Sequence, residues 1–101
     1  MDTYILKKSN DPKKKFMIIM EDNMTHYFGQ AGAKDYTLHN KDIRDSRKKA
    51  YIIRHKKREV WDKSGIHTSG FWSKHLLWNK PTIKESIKDV EDKFNIKIKY
   101  K

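Results

Sequence analysis

Histidine is the side chain of this sequence best suited to metal binding and acid–base chemistry, because imidazole is the commonest metal ligand and titrates near neutral pH. No two of the five histidines lie three or four positions apart, so no pair can share a helix face as zinc-binding histidines do. The chain has no cysteine, which excludes disulfides and thiolate zinc sites. The sequence therefore predicts no metal site. The histidines are His26, His39, His55, His67 and His75.

Three of the polar residues, His39, Asn40 and His55, have the residue types found in metal-dependent nucleases. The lysine-rich sequence around them does not resemble such a site further. Acidic residues are scattered singly or lie on the predicted helix faces, and no serine has the context of an activated nucleophile. We favour surface or hydrogen-bonded histidines, and we expect no catalytic residue, no cofactor and no small-molecule substrate.

Cationic side chains are concentrated in one segment. The net charge is +11, from 24 Lys and Arg less 13 Asp and Glu, and residues 41–58 supply +7 of it, from nine Lys and Arg less two Asp. Such a field attracts polyanions, which are nucleic acid, acidic protein surfaces or anionic lipid headgroups. The alternative is that the lysines only keep a small protein soluble. The side chains expected to contact a partner are Arg44, Arg47, Lys48, Arg54, Lys56, Lys57 and Arg58.

The same segment predicts a helix over residues 39–58. Asn40 can cap its start, Asp42 and Asp45 lie in its first turns, and cations crowd its end, as the helix dipole favours. The apolar stripe is narrow, so most of this helix should be solvated or in contact with a partner. The stripe consists of Ile43, Ala50, Tyr51 and Ile53.

Large aromatic side chains are concentrated in residues 61–81, which hold all three tryptophans. Aromatic residues dominate the energetics of both small cores and interfaces, so this segment forms either the core or a docking surface. We expect a short helix over residues 70–78, capped by Ser69. The aromatics in question are Trp61, Phe71, Trp72 and Trp78.

Two stretches of β-favouring residues frame the chain. Residues 3–28 contain three such runs (4–6, 16–20 and 26–28), separated by turn formers that include Asp22-Asn23, and they predict an antiparallel meander with the second run central. In residues 96–100, lysines alternate with isoleucine or tyrosine, which indicates a half-buried strand at a sheet edge.

The glycine-containing stretch that follows the meander, residues 29–33, invites comparison with a phosphate-binding loop. It lacks the Walker spacing and the Lys-Ser/Thr ending, and it does not lead directly into a helix. We favour an ordinary turn after a strand.

An amphipathic helix is predicted over residues 82–94. Thr82 and Glu85 form a capping-box pattern, and apolar residues recur at intervals of four, three and four along the segment. At 101 residues and 36% hydrophobic content, the chain predicts a single basic α+β domain with a thin core, in which the sheet packs with two to three helices. The recurring apolar residues are Ile83, Ile87, Val90 and Phe94.

Four stretches of the sequence form a distinctive combination: residues 51–55 (YIIRH), 61–66 (WDKSGI), 70–73 (GFWS) and 77–82 (LWNKPT). With these stretches as the most specific matches, residues 26–94 resemble a family of small basic proteins of uncharacterised function encoded by nucleocytoplasmic large DNA viruses, including algal and amoebal giant viruses. The resemblance supplies a setting and no catalytic or binding residues.

The resemblance implies a non-enzymatic structural component of the virus particle, such as a minor capsid protein that docks on acidic capsid surfaces or on nucleic acid. The alternatives are a sequence-nonspecific nucleic-acid-binding protein and a host-directed regulatory protein made during infection. The expected partners are capsid proteins or viral nucleic acid, and the expected location is the virion, the host cytoplasm or the viral factory. The longest apolar run, residues 16–20, is too short to span a bilayer, and no secretory signal pattern is present.

Overall fold

A computed structural model describes residues 2–101 of the protein. It contains one sheet of four strands. They lie in the order β3-β2-β1-β4. The first three strands pair antiparallel, which confirms the predicted meander and the central position of β2. β4 pairs with β1 in parallel at the sheet edge. The strands are β1 (Thr3–Lys8), β2 (Lys14–Ile19), β3 (Thr25–Gln30) and β4 (Lys97–Tyr100).

Three α-helices complete the α+β fold predicted from the sequence. α1 spans Lys41–His55 and α3 spans Ile83–Phe94. α2 is a single turn, Ser69–Trp72, that continues directly into a π-helical turn, Ser73–Leu77, and a short 3-10 turn, Lys63–Gly65, precedes it. None of the helices between residues 2 and 101 is long and apolar enough to cross a membrane.

The turn between β2 and β3 forms where the sequence predicts it. Asn23 adopts a left-handed backbone with φ of 67°, which asparagine tolerates better than most residues. The Met20 N–H donates to the Met24 carbonyl oxygen at 2.8 Å and closes the turn.

α1 is shorter than the predicted span of 39–58. Asn40 occupies the position before the helix, but its side chain makes no capping hydrogen bond. The helix ends at His55, and the chain turns after it. The turn places the Glu59 carboxylate 3.0 Å from His55 Nδ1. Residues 56–58 therefore lie in an exposed turn rather than on the helix.

The predicted apolar stripe of α1 is also only partly buried. Tyr51 is the one residue of the helix that is fully buried, whereas Ile43 and Ile53 are 42% and 65% exposed. Ile43 and Ile53 belong to the predicted stripe but are exposed, because α1 contacts the rest of the protein along the side that carries Tyr51.

The aromatic segment differs from its predicted form in two details. The cap of α2 is Thr68, whose hydroxyl accepts the Phe71 N–H at 3.3 Å, while Ser69 instead donates its hydroxyl to the Tyr27 carbonyl oxygen at 2.6 Å. Ser69 therefore ties α2 to β3. The helix beyond it widens into a π turn, in which His75, Leu76 and Leu77 are all buried.

α3 follows its prediction closely. The Thr82 hydroxyl accepts the Glu85 N–H at 3.2 Å, and Asn95 ends the helix with a left-handed φ of 55°. Ile87 and Val90 lie on the face of α3 that is buried in the core.

The core lies between one face of the sheet and the segment from Ile66 to Ile96. Alternate strand residues point into it, as the period of a strand requires. Phe71, Trp72, Leu76 and Val90 meet these strand residues from the helical side, all at 0% exposure. The inward strand residues are Tyr4, Leu6, Ile18, Phe28 and Ile98.

The outer edge of β4 is closed by a side chain. The Ile98 N–H points away from β1 and donates to the Glu91 carboxylate at 2.9 Å. Lys97 and Lys99 on the same strand are exposed. A capped edge with lysines discourages pairing with another strand.

Candidate functional site

One cleft gathers charged and aromatic side chains from three parts of the chain. It lies between α1, the start of β2 and the segment that follows β3, and its volume is about 650 Å³. We name it the cationic cleft for the side chains of Lys14, Lys15, Lys34, Arg47 and Arg54 that line it.

Arg47 and Arg54 form the α1 wall of the cationic cleft. They are seven residues apart, so they lie on one face of the helix, two turns from each other. Both are exposed, and neither takes part in a salt bridge with any residue between 2 and 101. Of the seven cations predicted to contact a partner, these two therefore share the surface of the cationic cleft.

Arg44 and Lys48 lie on another side of α1 and hold it in place. The Lys48 ammonium donates to the Asn79 carbonyl oxygen at 2.7 Å and lies 5.1 Å from the centre of the Tyr36 ring. The Arg44 guanidinium lies 5.6 Å from the same ring, which is a cation–π arrangement. Burial, and then the charge of Lys80, lowers the pKa of Lys48.

The last three predicted cations, Lys56, Lys57 and Arg58, lie in the exposed turn after α1 and outside the cationic cleft. The structure thus divides the predicted set of seven into a cleft pair, an anchoring pair and an exposed turn.

Lys14 and Lys34, which were not among the predicted contact residues, form a second wall of the cationic cleft. Lys14 begins β2 and pairs in register with Gln30 at the end of β3, and Lys34 follows in the next loop. Both are exposed. The run of lysines at residues 13–15 can be read from the sequence as a cationic cluster. That it lines the same cleft as α1 depends on the fold.

The carboxylates of the cationic cleft are already bonded. Asp35 accepts the Lys15 ammonium at 2.7 Å and the Thr37 N–H at 2.9 Å. Glu59 is 3.0 Å from His55 Nδ1 and accepts the Trp61 indole N–H at 2.9 Å. Five Lys and Arg less two carboxylates leave the cleft with a net charge of +3.

A column of stacked rings forms the aromatic side of the cationic cleft. Trp78 stacks on Tyr51 with centroids 4.6 Å apart and planes 8° apart, and His55 stacks on the same tyrosine at 4.3 Å. His39 lies against Trp78 at 6.0 Å and is tilted by 46°. Burial raises the pKa of the Tyr51 hydroxyl, which keeps this ring neutral.

His39 and His55, which the sequence separates by sixteen positions, thus line the same cleft. Over residues 2–101, no three His, Asp or Glu side chains are grouped so that they could hold a metal ion together. Of the carboxylates that line the cleft, Glu59 is paired with His55 and Asp35 with Lys15.

The four aromatics selected from the sequence divide between core and surface. Phe71 and Trp72 are 0% exposed and belong to the core. Trp61 and Trp78 are half-buried, and only Trp78 lines the cationic cleft. The Lys74 ammonium covers the Trp61 ring at 5.5 Å from its centre.

Gly29 has a packing role. Its φ of 78° is left-handed, and an added Cβ would lie 2.7 Å from Leu77 Cδ1. A side chain here would collide with the π turn, so the strand needs glycine. The stretch of residues 29–33 leads into turns and not into a helix, as expected for an ordinary connection.

Comparison with known proteins gives one match. A search of curated proteins and a search of solved structures each returned none. The model of a family of unknown function, DUF5754, matches residues 4–55, which run from β1 to the end of α1 and include both cationic walls of the cleft. The match covers just over half of the 101 residues, and the chain belongs to the DUF5754 family.

Proposed function

We propose that this protein is a non-enzymatic, polyanion-binding component of a large DNA virus, and that the polyanion is nucleic acid. The observation that carries the proposal is the cationic cleft, which Arg47 and Arg54 of α1 line together with Lys14 and Lys34, four cations that form no salt bridge within residues 2–101. Phosphate contacts by Lys and Arg supply most of the affinity of sequence-nonspecific binding. The viral setting comes from the sequence resemblance.

The core position of Phe71 and Trp72 favours nucleic acid over a capsid surface as the partner. Aromatic anchors are common in docking into shaped protein pockets, and of the four selected aromatics only the half-buried Trp61 and Trp78 remain for such contacts, because Phe71 and Trp72 are fully buried. The exposed cationic side chains do not depend on such anchors.

A capsid-bound role is the second candidate, and one observation supports it. Ile43 and Ile53 are exposed among the cations of α1, so the outer side of this helix offers apolar contacts to an acidic protein surface. In that case the protein would co-purify with capsid protein from particles whose nucleic acid has been removed by nuclease.

Replacing both Arg47 and Arg54 by glutamine should weaken binding to duplex DNA and reduce its salt dependence. Each lost phosphate contact lowers the log–log slope of affinity against salt by about 0.9, so the slope should fall by about 2. Fluorescence anisotropy over a range of salt concentrations measures this directly.

The matched control replaces Lys84 and Lys88, two exposed cations on α3, by glutamine. This variant removes the same charge from a different surface, and its slope should stay near that of the unchanged protein. Equal losses in the two double variants would show that only total charge matters and would contradict the proposed site.

We expect no hydrolysis of DNA, RNA or simple phosphoesters in the presence of Mg²⁺, Mn²⁺ or Zn²⁺. The reason is that no three His, Asp or Glu side chains within residues 2–101 are grouped so that they could hold a metal ion for such a reaction. Gel and chromogenic assays measure the turnover. Activity that disappears when His39 or His55 is replaced by alanine would refute a non-enzymatic role.

A further inference from the structure

We infer that the cationic cleft binds single-stranded nucleic acid, with the sugar–phosphate chain between Lys14 and Lys34 on one wall and Arg47 and Arg54 on the other. This inference rests on the proposed function and assigns it a particular form of nucleic acid. Three features of the cleft support it: its shape, its charge and its aromatic column.

The shape of the cationic cleft suits a thin chain. The cations of α1 and those of β2 and the loop after β3 line the same recess of about 650 Å³. A duplex carries its phosphates on the outside of a rigid rod, so it can approach the rim of such a recess but cannot bring one backbone between the walls. A single strand is flexible and exposes its phosphates on several sides, so both walls can reach it.

The charge of the cationic cleft is available for a ligand. Within the described chain, Lys14, Lys34, Arg47 and Arg54 form no salt bridge, while both carboxylates of the cleft are bonded to other groups. The phosphates of a bound strand would therefore meet cations that have no ionic bond to give up within residues 2–101. Charge-assisted bonds of this kind are stronger than neutral hydrogen bonds.

The aromatic column adds a surface for bases. Trp78 is half-buried and stacks on Tyr51, and the tilted ring of His39 lies with its centroid 6.0 Å from that of Trp78. Bases of a single strand stack on exposed aromatic rings without regard to sequence, and proteins that bind single strands combine such rings with a cationic groove. A duplex keeps its bases stacked on one another and cannot use the column.

The test compares the affinities of labelled single strands, oligo-dT and oligo-U, with that of a hairpin duplex at one salt concentration. We expect single strands to bind at least about tenfold more tightly than the duplex, since only they can use both walls and the rings. Equal affinity for oligo-dT and oligo-U identifies the shared backbone and base chemistry, and a preference for one shows that the cleft distinguishes thymidine deoxyribonucleotides from uridine ribonucleotides.

Replacing Lys14 and Lys34 by glutamine should then lower single-strand affinity about tenfold and reduce its salt slope by about 1.4, because each phosphate contact on a single strand contributes about 0.7. Duplex affinity should change little. The matched control replaces Lys84 and Lys88, two exposed cations on α3 and outside the cationic cleft, by glutamine, and it should keep the preference for single strands.

The outcomes separate this inference from the proposed function. Salt-dependent binding with no preference for single strands, or equal effects of the two lysine pairs, would overturn the cleft inference and leave general nucleic-acid binding in place. Absence of binding to every nucleic acid at low salt would overturn both. Circular dichroism spectra confirm that each variant is folded.

Discussion

Replacing Trp72 by alanine should destabilise the protein by about 3–5 kcal/mol, the range measured for large aromatic side chains removed from a core. Trp72 is 0% exposed and packs edge-on against Tyr4 and Phe71, with ring centroids 5.8 Å and 4.9 Å away. Its indole N–H also donates to the Ile66 carbonyl oxygen at 2.8 Å. Because small domains are stable by only about 5–15 kcal/mol, this loss removes much of the free energy of unfolding.

Urea unfolding followed by circular dichroism measures the effect of the Trp72 substitution. Trp61→Ala is the control, since Trp61 is only half-buried and one face of its ring is covered by a lysine, and it should cost less than half as much. Similar losses for the two tryptophans would show that Trp72 does not have its described place in the core.

The second large effect is a loss of stability in acid caused by His75. The side chain is 1% exposed between Phe71 and Phe94, and its Nε2 donates to the Trp61 carbonyl oxygen at 2.7 Å. Burial lowers the pKa of His75 to about 4 from its ordinary 6.5, with smaller contributions from the charges of Lys74 and Lys93. The buried Nδ1 has no partner within residues 2–101, so a proton placed there would have nothing to bond.

The direction of the pH effect follows from these two pKa values. Between pH 6.5 and 4 the unfolded chain binds a proton at His75 that the folded protein does not, so the free energy of unfolding falls as the pH falls. The slope should approach about 1.4 kcal/mol per pH unit, which amounts to about 3 kcal/mol over the whole interval. Above pH 6.5 the contribution of His75 is constant.

Urea unfolding at a series of pH values from 7 to 4 tests this prediction. His75→Gln keeps a donor for the Trp61 carbonyl oxygen and removes the titration, so its stability should be lower at pH 7 but should depend less on pH. His39→Gln, in the half-exposed cleft position, should retain the slope of the unchanged protein. A slope that persists in His75→Gln would assign the acid sensitivity to other groups.

Local patterns were sufficient to predict most of the secondary structure. The turn at Asp22-Asn23, the cap at Thr82 and the apolar spacing from Ile83 to Phe94 each depend on residues close together in the sequence, and the structure has each of them. The parallel pairing of β4 with β1 was not predicted, because alternation identifies a strand and says nothing about its neighbour.

The candidate site was only half predictable for the same reason. Arg47 and Arg54 could be selected from their charge and their spacing on a helix. Lys14 and Lys34 could not, because their position opposite α1 depends on how the sheet and the helix pack. The division of the aromatics into buried Trp72 and partly exposed Trp78 likewise depends on packing, since both lie in equally apolar surroundings in the sequence.

The pairing of β1 with β4 also sets the order in which the sheet can form. Thr3 is paired with Lys97, 94 positions further along the chain, whereas the meander joins only neighbouring strands. Contacts between such distant residues form slowly, because a long loop must close before they contribute. During synthesis, β1 therefore has one open edge until residues 97–100 have been translated. Nascent chains of this protein should be most exposed to aggregation and to chaperones in that interval.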